Sequence, residues 1–348
     1  MNTMHNDRAR GALLGLAVGD ALGTTLEFAR LDQPAYPALA VGPATDIVGK
    51  GPFDLQPGMI TDDTQMAVCL ARTLARHGRV DAAELGRRYV TWTEHAFDIG
   101  NQTRAALALV ESGTPPQRAG FEVWRAGGRR PAGNGSLMRT APIGVALRDE
   151  ALVDAAIADS MITHADPRCI LACIAFDAAI AALVDDGAAD PIAVARAALD
   201  TGAARLRDTW CGMEAVGEGP RATADELACI ATAAAALEGD LAAAATRDPE
   251  VYGSEVHLDR TAGFVRVAFR LALWHATHTR SWRDALVDVA SRGGDADTNA
   301  AIVGALLGAR DGAEAIPVDW EVRVLSAMQP GPAWWIDAHH PRLLFSVL

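Results

Sequence analysis

Glycine returns at every fourth position near the start of the chain, at Gly11, Gly15, Gly19 and Gly23. On a helix these positions fall on one ridge, and a ridge without side chains lets a second backbone come very close. Each glycine weakens a helix by about 1 kcal/mol relative to alanine, so something must offset four of them. Close packing at the centre of a helical bundle is the simplest candidate, and it predicts a buried helix over residues 8–23. Asp20 lies at the end of that element with Glu27 just beyond, so a buried helix delivers acids to one place.

The remaining chain agrees with a mostly helical fold. Half of the 348 residues are hydrophobic but only 5% are aromatic. Long stretches such as 151–200 and 222–247 are rich in alanine, and period-two alternation is scarce. Helices are expected over 62–77, 81–96, 101–112, 150–185, 259–279, 281–291 and 298–310. Residues 31–58, rich in Pro and Gly, read as an extended surface loop. Residues 311–348, with Trp320, Trp334 and Trp335, read as an appendage packed on the core. There is no linker of disordered composition and no fixed-period repeat, so one domain is expected over 1–348, its motif-bearing core spanning about 8–310.

The net charge of −13 argues against binding nucleic acid or an anionic membrane, since a polyanion is repelled. Cys69, Cys169, Cys173, Cys211 and Cys229 form no C-x-x-C pair and no zinc pattern. They read as reduced thiols of a cytoplasmic protein. The apolar run over 11–19 is too short to span a bilayer and is followed at once by Asp20.

Two acidic segments carry the chemistry. Thr61-Asp62-Asp63-Thr64 and Gly293-Gly294-Asp295-Ala296-Asp297-Thr298 each place two carboxylates and at least one hydroxyl directly before an apolar helical pattern. Capping the following helix explains either one alone, because Asp and Thr suit a first turn. Capping needs one oxygen, however, and each segment supplies three or more. The paired glycines also imply an unusual backbone just before the acids. Together the segments favour a site for Mg²⁺ or Mn²⁺, with room for two ions, in addition to capping.

Between them lies Ala132-Gly133-Asn134-Gly135-Ser136-Leu137-Met138-Arg139, whose small residues expose successive N–H groups able to hold a phosphate or diphosphate. Taken alone, that stretch is better read as an ordinary turn, and it is neither a P-loop nor a Rossmann fingerprint. In Phe97-Asp98-Ile99-Gly100-Asn101, helix capping is the simplest role for Asn101. His164, just before Asp166-Pro167, has no role that local chemistry assigns.

The order of these pieces resembles the ADP-ribosylglycohydrolase family. Gly19-Asp20-Ala21-Leu22-Gly23, Thr61-Asp62-Asp63-Thr64, Gly133-Asn134-Gly135-Ser136-Leu137-Met138-Arg139, Thr163-His164 and Gly293-Gly294-Asp295-Ala296-Asp297-Thr298 carry the match, over about 8–310. The resemblance implies an all-α orthogonal bundle with a binuclear Mg²⁺ or Mn²⁺ centre. Its ligands would be Thr61, Asp62, Asp63, Asp295, Asp297 and Thr298. It implies that 133–138 (Gly133, Asn134, Gly135, Ser136 and Met138) hold the diphosphate and that His164 lies beside the adenosine. Glu27 matches an acid on a mobile loop, and Asp98, Gly100 and Asn101 match the stretch near the distal ribose and the leaving group.

The implied reaction is hydrolysis of the N-glycosidic bond between ADP-ribose and a protein arginine. Asp98 or Glu27 would manage the proton of the leaving guanidine, and Asp62, Asp63 or Asp295 would take one from water. An immunity protein acting on the modification made by a cognate toxin is compatible with this. Serine-linked ADP-ribose as substrate, a non-catalytic or crystallin-like binding protein, and a two-metal diphosphatase are the alternatives. Six intact ligand positions favour catalysis.

Overall fold

The computed structural model describes residues 3–213 and 221–348. Fifteen α-helices among these residues build an all-α fold in which β-structure is limited to isolated bridges. They are α1 (Thr3–Gly23), α2 (Asp62–His77), α3 (Ala82–Thr93), α4 (Asn101–Glu111), α5 (Pro116–Ala126), α6 (Ala141–Ala146), α7 (Asp149–Thr163) and α8 (Pro167–Asp185). Then follow α9 (Pro191–Gly212), α10 (Ala224–Ala244), α11 (Val265–His278), α12 (Trp282–Ser291), α13 (Ala296–Asp311), α14 (Val318–Ser326) and α15 (Ala333–His339).

The glycine ridge of α1 meets a second one. Ala296, Ala300, Gly304 and Gly308 recur every fourth residue along α13. A Cβ at Gly11, Gly15, Gly19 or Gly23 would be driven into the carbonyl oxygen of Gly308, Gly304, Ala300 or Ala296 respectively. Each step of four down α1 therefore matches a step of four back along α13. The helices run antiparallel in backbone contact, and the end of α1 lies against the start of α13. Residues 9 and 11–23 are all buried, so α1 is the centre of the molecule.

Around this pair, α8, α11 and α12 pack on α13, α2 and α6 pack on α1, and α9 and α10 cover α8 from outside. α8 is apolar enough over its length to cross a bilayer, but most of it is enclosed here, which its uniformly hydrophobic surface requires.

Several boundaries depart from expectation. The helix expected over 150–185 is two, because Pro167 lacks an amide hydrogen and disfavours helix at Asp166. Asp166 then caps α8 by accepting from the Arg168 amide. The helix expected from 259 begins at Val265, after Gly263 in the left-handed region (φ 74°). Residues 31–58 are irregular as expected but not merely superficial. Tyr36, Ala44 and Ile47 are buried, and α12 grips the segment through Asp288 and the adjoining Arg292. Asp288 accepts from the Tyr36 hydroxyl (2.7 Å) and the Ala40 amide (2.6 Å). Arg292 donates to the carbonyls of Pro34 and Ala38 and stacks 3.8 Å from the Tyr36 ring centre. In the C-terminal stretch, Trp320 and Trp335 are buried while Trp334 is half exposed. Trp335 donates to the Trp92 carbonyl at 3.0 Å.

Two measurements test this account. Gly304→Ala should lower the thermal midpoint despite alanine's better helix propensity. Gly239→Ala, in α10 with open space at its Cβ position, should raise stability by about 1 kcal/mol. Equal gains in both would refute the backbone contact. Burial pushes the Asp288 carboxyl up, but His275 and Arg292 more than offset this and hold it at about 2. The stability it contributes is complete above the ordinary aspartate value and is lost as pH falls through about 2. The stability gap between wild type and Asp288→Asn, about 2 kcal/mol near neutrality, should therefore close between pH 4 and pH 2 in denaturant titrations.

Candidate metal centre and active site

The end of α1 and the starts of α2 and α13 converge, and Asp20 is the hinge between them. It is fully buried and accepts from the Thr61 amide (3.0 Å) and hydroxyl (3.0 Å) and from the Thr64 amide (3.2 Å) and hydroxyl (2.5 Å). Asp20 thus caps α2 from a different helix, satisfying donors that the first turn leaves free. Thr61, at the N-cap position, makes no side-chain cap bond, and neither does Asp295 at that position of α13. The expectation that the two segments also cap their helices is corrected at their N-cap residues, whose oxygens are turned to other partners. Thr61 Oγ1 and Thr298 Oγ1 each lie 3.3 Å from Asp63 Oδ2, and Asp295 Oδ2 accepts from Asn134 Nδ2 at 2.6 Å.

Gly293 and Gly294 both adopt left-handed backbone, at φ 72° and 67°. A Cβ on Gly293 would enter the Ala29 carbonyl, and one on Gly294 would lie 2.7 Å from the Leu258 carbonyl oxygen. That close approach lets Phe28 donate to the Gly294 carbonyl (2.7 Å) while Gly294 donates to the Ala29 carbonyl (2.8 Å). Glu27 is thereby held beside the acids of α13. Phe28 bears the strain: a bulky residue at φ 60°, 65% exposed on the cavity wall.

The carboxylates crowd one another. Oxygens of Glu27, Asp98 and Asp297 come within 4.8 Å of each other. Burial, and then neighbouring carboxylates, push Asp62, Asp63 and Asp297 well above the usual aspartate range. Burial raises Asp295 as well, and burial and Asp295 raise Asp98 to about 6. Burial, Asp297 and Asp98 lift Glu27 to about 11. Among the described residues, Asp63 Oδ1 and Glu27 Oε2 are buried without a hydrogen-bond partner. Orphaned oxygens in an all-oxygen donor set fit a hard divalent cation such as Mg²⁺ or Mn²⁺.

The glycine-rich loop is partly self-satisfied. The amides of Gly133, Asn134 and Met138 donate to Gln102 Oε1, the Gly263 carbonyl and the Asn134 carbonyl. Those of Gly135, Ser136 and Leu137 have no backbone acceptor among the described residues. The Ser136 side chain is buried and accepts from the Ser160 hydroxyl at 2.9 Å, so only its backbone is available to a ligand. Behind the loop, buried Arg139 pairs with Asp159 (3.1 Å) and donates to the Gly135 carbonyl (3.0 Å). His164 packs on Gly135, where a Cβ would lie 2.7 Å from its Cε1. Burial, and then Arg139, push its imidazole down to about 3, so it is neutral.

A cavity of about 440 Å³ joins these parts. Glu27, Asp62, Asp98, Asp295, Asp297 and Thr298 line it, as do Gly100, Asn101, Gly133, Asn134, Gly135, Met138 and His164. Thr61, Asp63 and Ser136 lie fully buried, outside its lining.

A family model described as ADP-ribosylglycohydrolase matches residues 1–337. The chain belongs to the ADP-ribosylglycohydrolase family. As a member it is a glycosidase. It is 32% identical to "ADP-ribosylarginine hydrolase Tri1" of Pseudomonas putida (strain GB-1), over 91% of this chain and 74% of that one. It is 27% identical to the "ADP-ribosyl-[dinitrogen reductase] glycohydrolase" of Rhodospirillum rubrum, over 90% and 89%. A solved "ADP-ribosylglycohydrolase-related protein complex" superposes with a TM-score of 0.67 at 26% identity, covering 99% of this chain and 98% of that one.

Sequence reasoning missed several parts of this ADP-ribosylglycohydrolase site. The sequence marks Asp20 as an acid delivered to the site but does not mark it as a cap for another helix. Its signal was a charge inside an apolar glycine helix, which must find donors. Gln102, Phe28 and Gly263 carry no such signal, because their roles depend on segments far away in sequence.

The cation fit has a readout independent of activity. Millimolar Mn²⁺ or Mg²⁺ should raise the thermal midpoint of chelator-treated protein by a few degrees, equivalent to about 2–3 kcal/mol near a hundredfold excess over the dissociation constant. Asp63→Asn should shrink that rise. An unchanged midpoint in wild type would sink the metal assignment.

Proposed function

We propose that the chain hydrolyses the N-glycosidic bond between ADP-ribose and an arginine side chain of a modified protein, releasing ADP-ribose and restoring arginine. One observation carries the reading: a single cavity combines five carboxylates, a glycine-rich loop with unspent amides and a neutral imidazole. The name of the Pseudomonas relative supports arginine as the acceptor. The cofactors are two divalent cations, Mg²⁺ or Mn²⁺, held by Thr61, Asp62, Asp63, Asp295, Asp297 and Thr298, with Glu27 and Asp98 in reach. Bound there, they would orient ribose hydroxyls and lower the pKa of a water.

The residues divide the remaining work. Bond breaking builds positive charge at the anomeric carbon, which the surrounding carboxylates favour. Guanidine is a poor leaving group unless protonated, so Asp98 or Glu27 supplies its proton, and Asp62, Asp63 or Asp295 accepts the proton of the attacking water. Gly100 and Asn101 open α4 beside Asp98 and border the leaving arginine. The amides of 135–137 receive diphosphate oxygens, Asn134 fixes Asp295, and neutral His164 offers a flat face to the adenosine end. All described cysteines are free, in keeping with a reducing cytoplasm. Where a toxin installs the modification, the same reaction confers immunity to it.

Incubation of arginine-modified protein with the enzyme and Mg²⁺ or Mn²⁺, with mass-spectrometric product identification, tests the proposal. Free ADP-ribose and unmodified arginine are expected, and Asp295→Asn should slow release by about 100-fold or more while remaining folded. Full activity after thorough chelation would contradict the metal-dependent reading. Faster release from serine-linked substrate would move the assignment to O-linked ADP-ribose, and AMP as product would move it to a diphosphatase.

A further inference from the structure

A second cavity, of about 500 Å³, opens between α2, α3 and the end of α15, and its chemistry is the reverse of the first. Arg72, Arg76, Arg87 and Arg88 line it together with Glu84 and His339. Arg72 and Arg76 lie one turn apart on α2, as do Glu84 and Arg88 on α3, so each helix turns its charges to the shared cleft.

Glu84 cannot balance the four guanidiniums. It already meets His77 Nε2 at 2.7 Å, Arg88 Nη2 at 2.6 Å and Arg76 Nη1 at 3.5 Å. Among the described residues Arg72 donates only to a neutral acceptor, the Ala338 carbonyl, at 2.8 Å. Arg87 is exposed and has no ion pair among the described residues. The excess charge acts on its own members. Burial, and then Arg88, lower the Arg72 guanidinium below its ordinary range. Burial, with Arg72 and Arg88, pushes the His339 imidazole down to about 4, so it adds no charge. A helix C-terminus favours a cation in its last turn, which accounts for Arg76. It does not account for three further guanidiniums crowded at one cleft in a chain of net charge −13.

We propose that this cleft binds a small, multiply charged oxyanion of the phosphate class, with phosphate, diphosphate and a nucleotide polyphosphate as its sources. Planar guanidinium forks match phosphate oxygens in pairs. A cleft of about 500 Å³ suits a small ligand, while the acidic remainder of the chain repels an extended polyanion. The wall made by Ala338 and His339 belongs to the C-terminal stretch, which thereby gains a function beyond packing. The proposal stands apart from the reaction at the acidic cavity.

Calorimetric titration of the full chain with phosphate, diphosphate and ADP, in chelator and at low ionic strength, is the test. One saturable site that depends on Arg87 is expected beside any binding at the glycine-rich loop, tightening from phosphate to diphosphate, with ADP against diphosphate showing whether a nucleoside adds affinity. The Arg72→Gln/Arg87→Gln double variant should weaken diphosphate binding about tenfold or more. Exposed Arg87→Gln alone, which leaves packing intact, should weaken it several-fold, and Asn134→Ala in the other cavity should leave it unchanged. Unaltered affinity in Arg87→Gln, loss of binding in Asn134→Ala, or absence of saturable binding at millimolar diphosphate would each overturn the proposal. An RNA oligonucleotide that displaces diphosphate at lower concentration would also overturn it.

Discussion

The structure depends on two backbones touching. Because α1 and α13 carry glycine or alanine at matching fourth positions, they approach more closely than side-chain packing permits. The register of that approach is fixed to one residue, since a slip would press a larger residue into a carbonyl. Several kcal/mol of lost helix propensity is balanced by burial of the whole central helix. The functional return is placement. An antiparallel pair in fixed register brings Asp20 and Glu27, at the end of α1, to Asp295 and Asp297, at the start of α13, though these positions are some 270 residues apart in the chain.

Crowding is the second constraint. Buried carboxylates within a few ångströms cannot all ionise in the absence of counter-charge; here burial raises every acid of the cluster, and repulsion adds to it for Glu27, Asp62, Asp63, Asp98 and Asp297. The protein spends its internal donors on Asp20 and Asp295 and leaves Asp63 Oδ1 and Glu27 Oε2 without any. Asp20 takes over capping of α2, which frees the Thr61 and Asp63 oxygens for another partner. A site that needed only to cap helices would have used its nearest oxygens to do so.

The sequence showed what is local and repetitive. The Gly11–Gly15–Gly19–Gly23 spacing announced a close helix contact, and the glycine pair before Asp295 announced an unusual backbone, realised as two left-handed residues. The helix expected over 150–185 is two, because Pro167 breaks a stretch whose alanine-rich propensity favours continuity. The role of Asp20, the inward turn of Ser136 and the wall at Gly263 were not legible, since each is set by a partner distant in sequence. The matching small residues on α13 were visible, but nothing in one sequence pairs them with α1.

Helix α2 shows how one element serves opposite electrostatic demands. Its first turn carries Asp62 and Asp63, and its last turns carry Arg72 and Arg76. This polarity complements the helix dipole at both ends, so charges that face two different cavities also stabilise the helix that bears them. The ten residues from Asp62 to Arg72 hold the near edges of the two clusters about 15 Å apart at 1.5 Å per residue, beyond a Debye length of about 8 Å at physiological salt. The acidic cluster therefore does not neutralise the arginines through solvent, and each cleft must find its own counter-ion. That separation is why an acidic chain sustains a basic cleft, and why its charge imbalance is a local property that the net charge conceals.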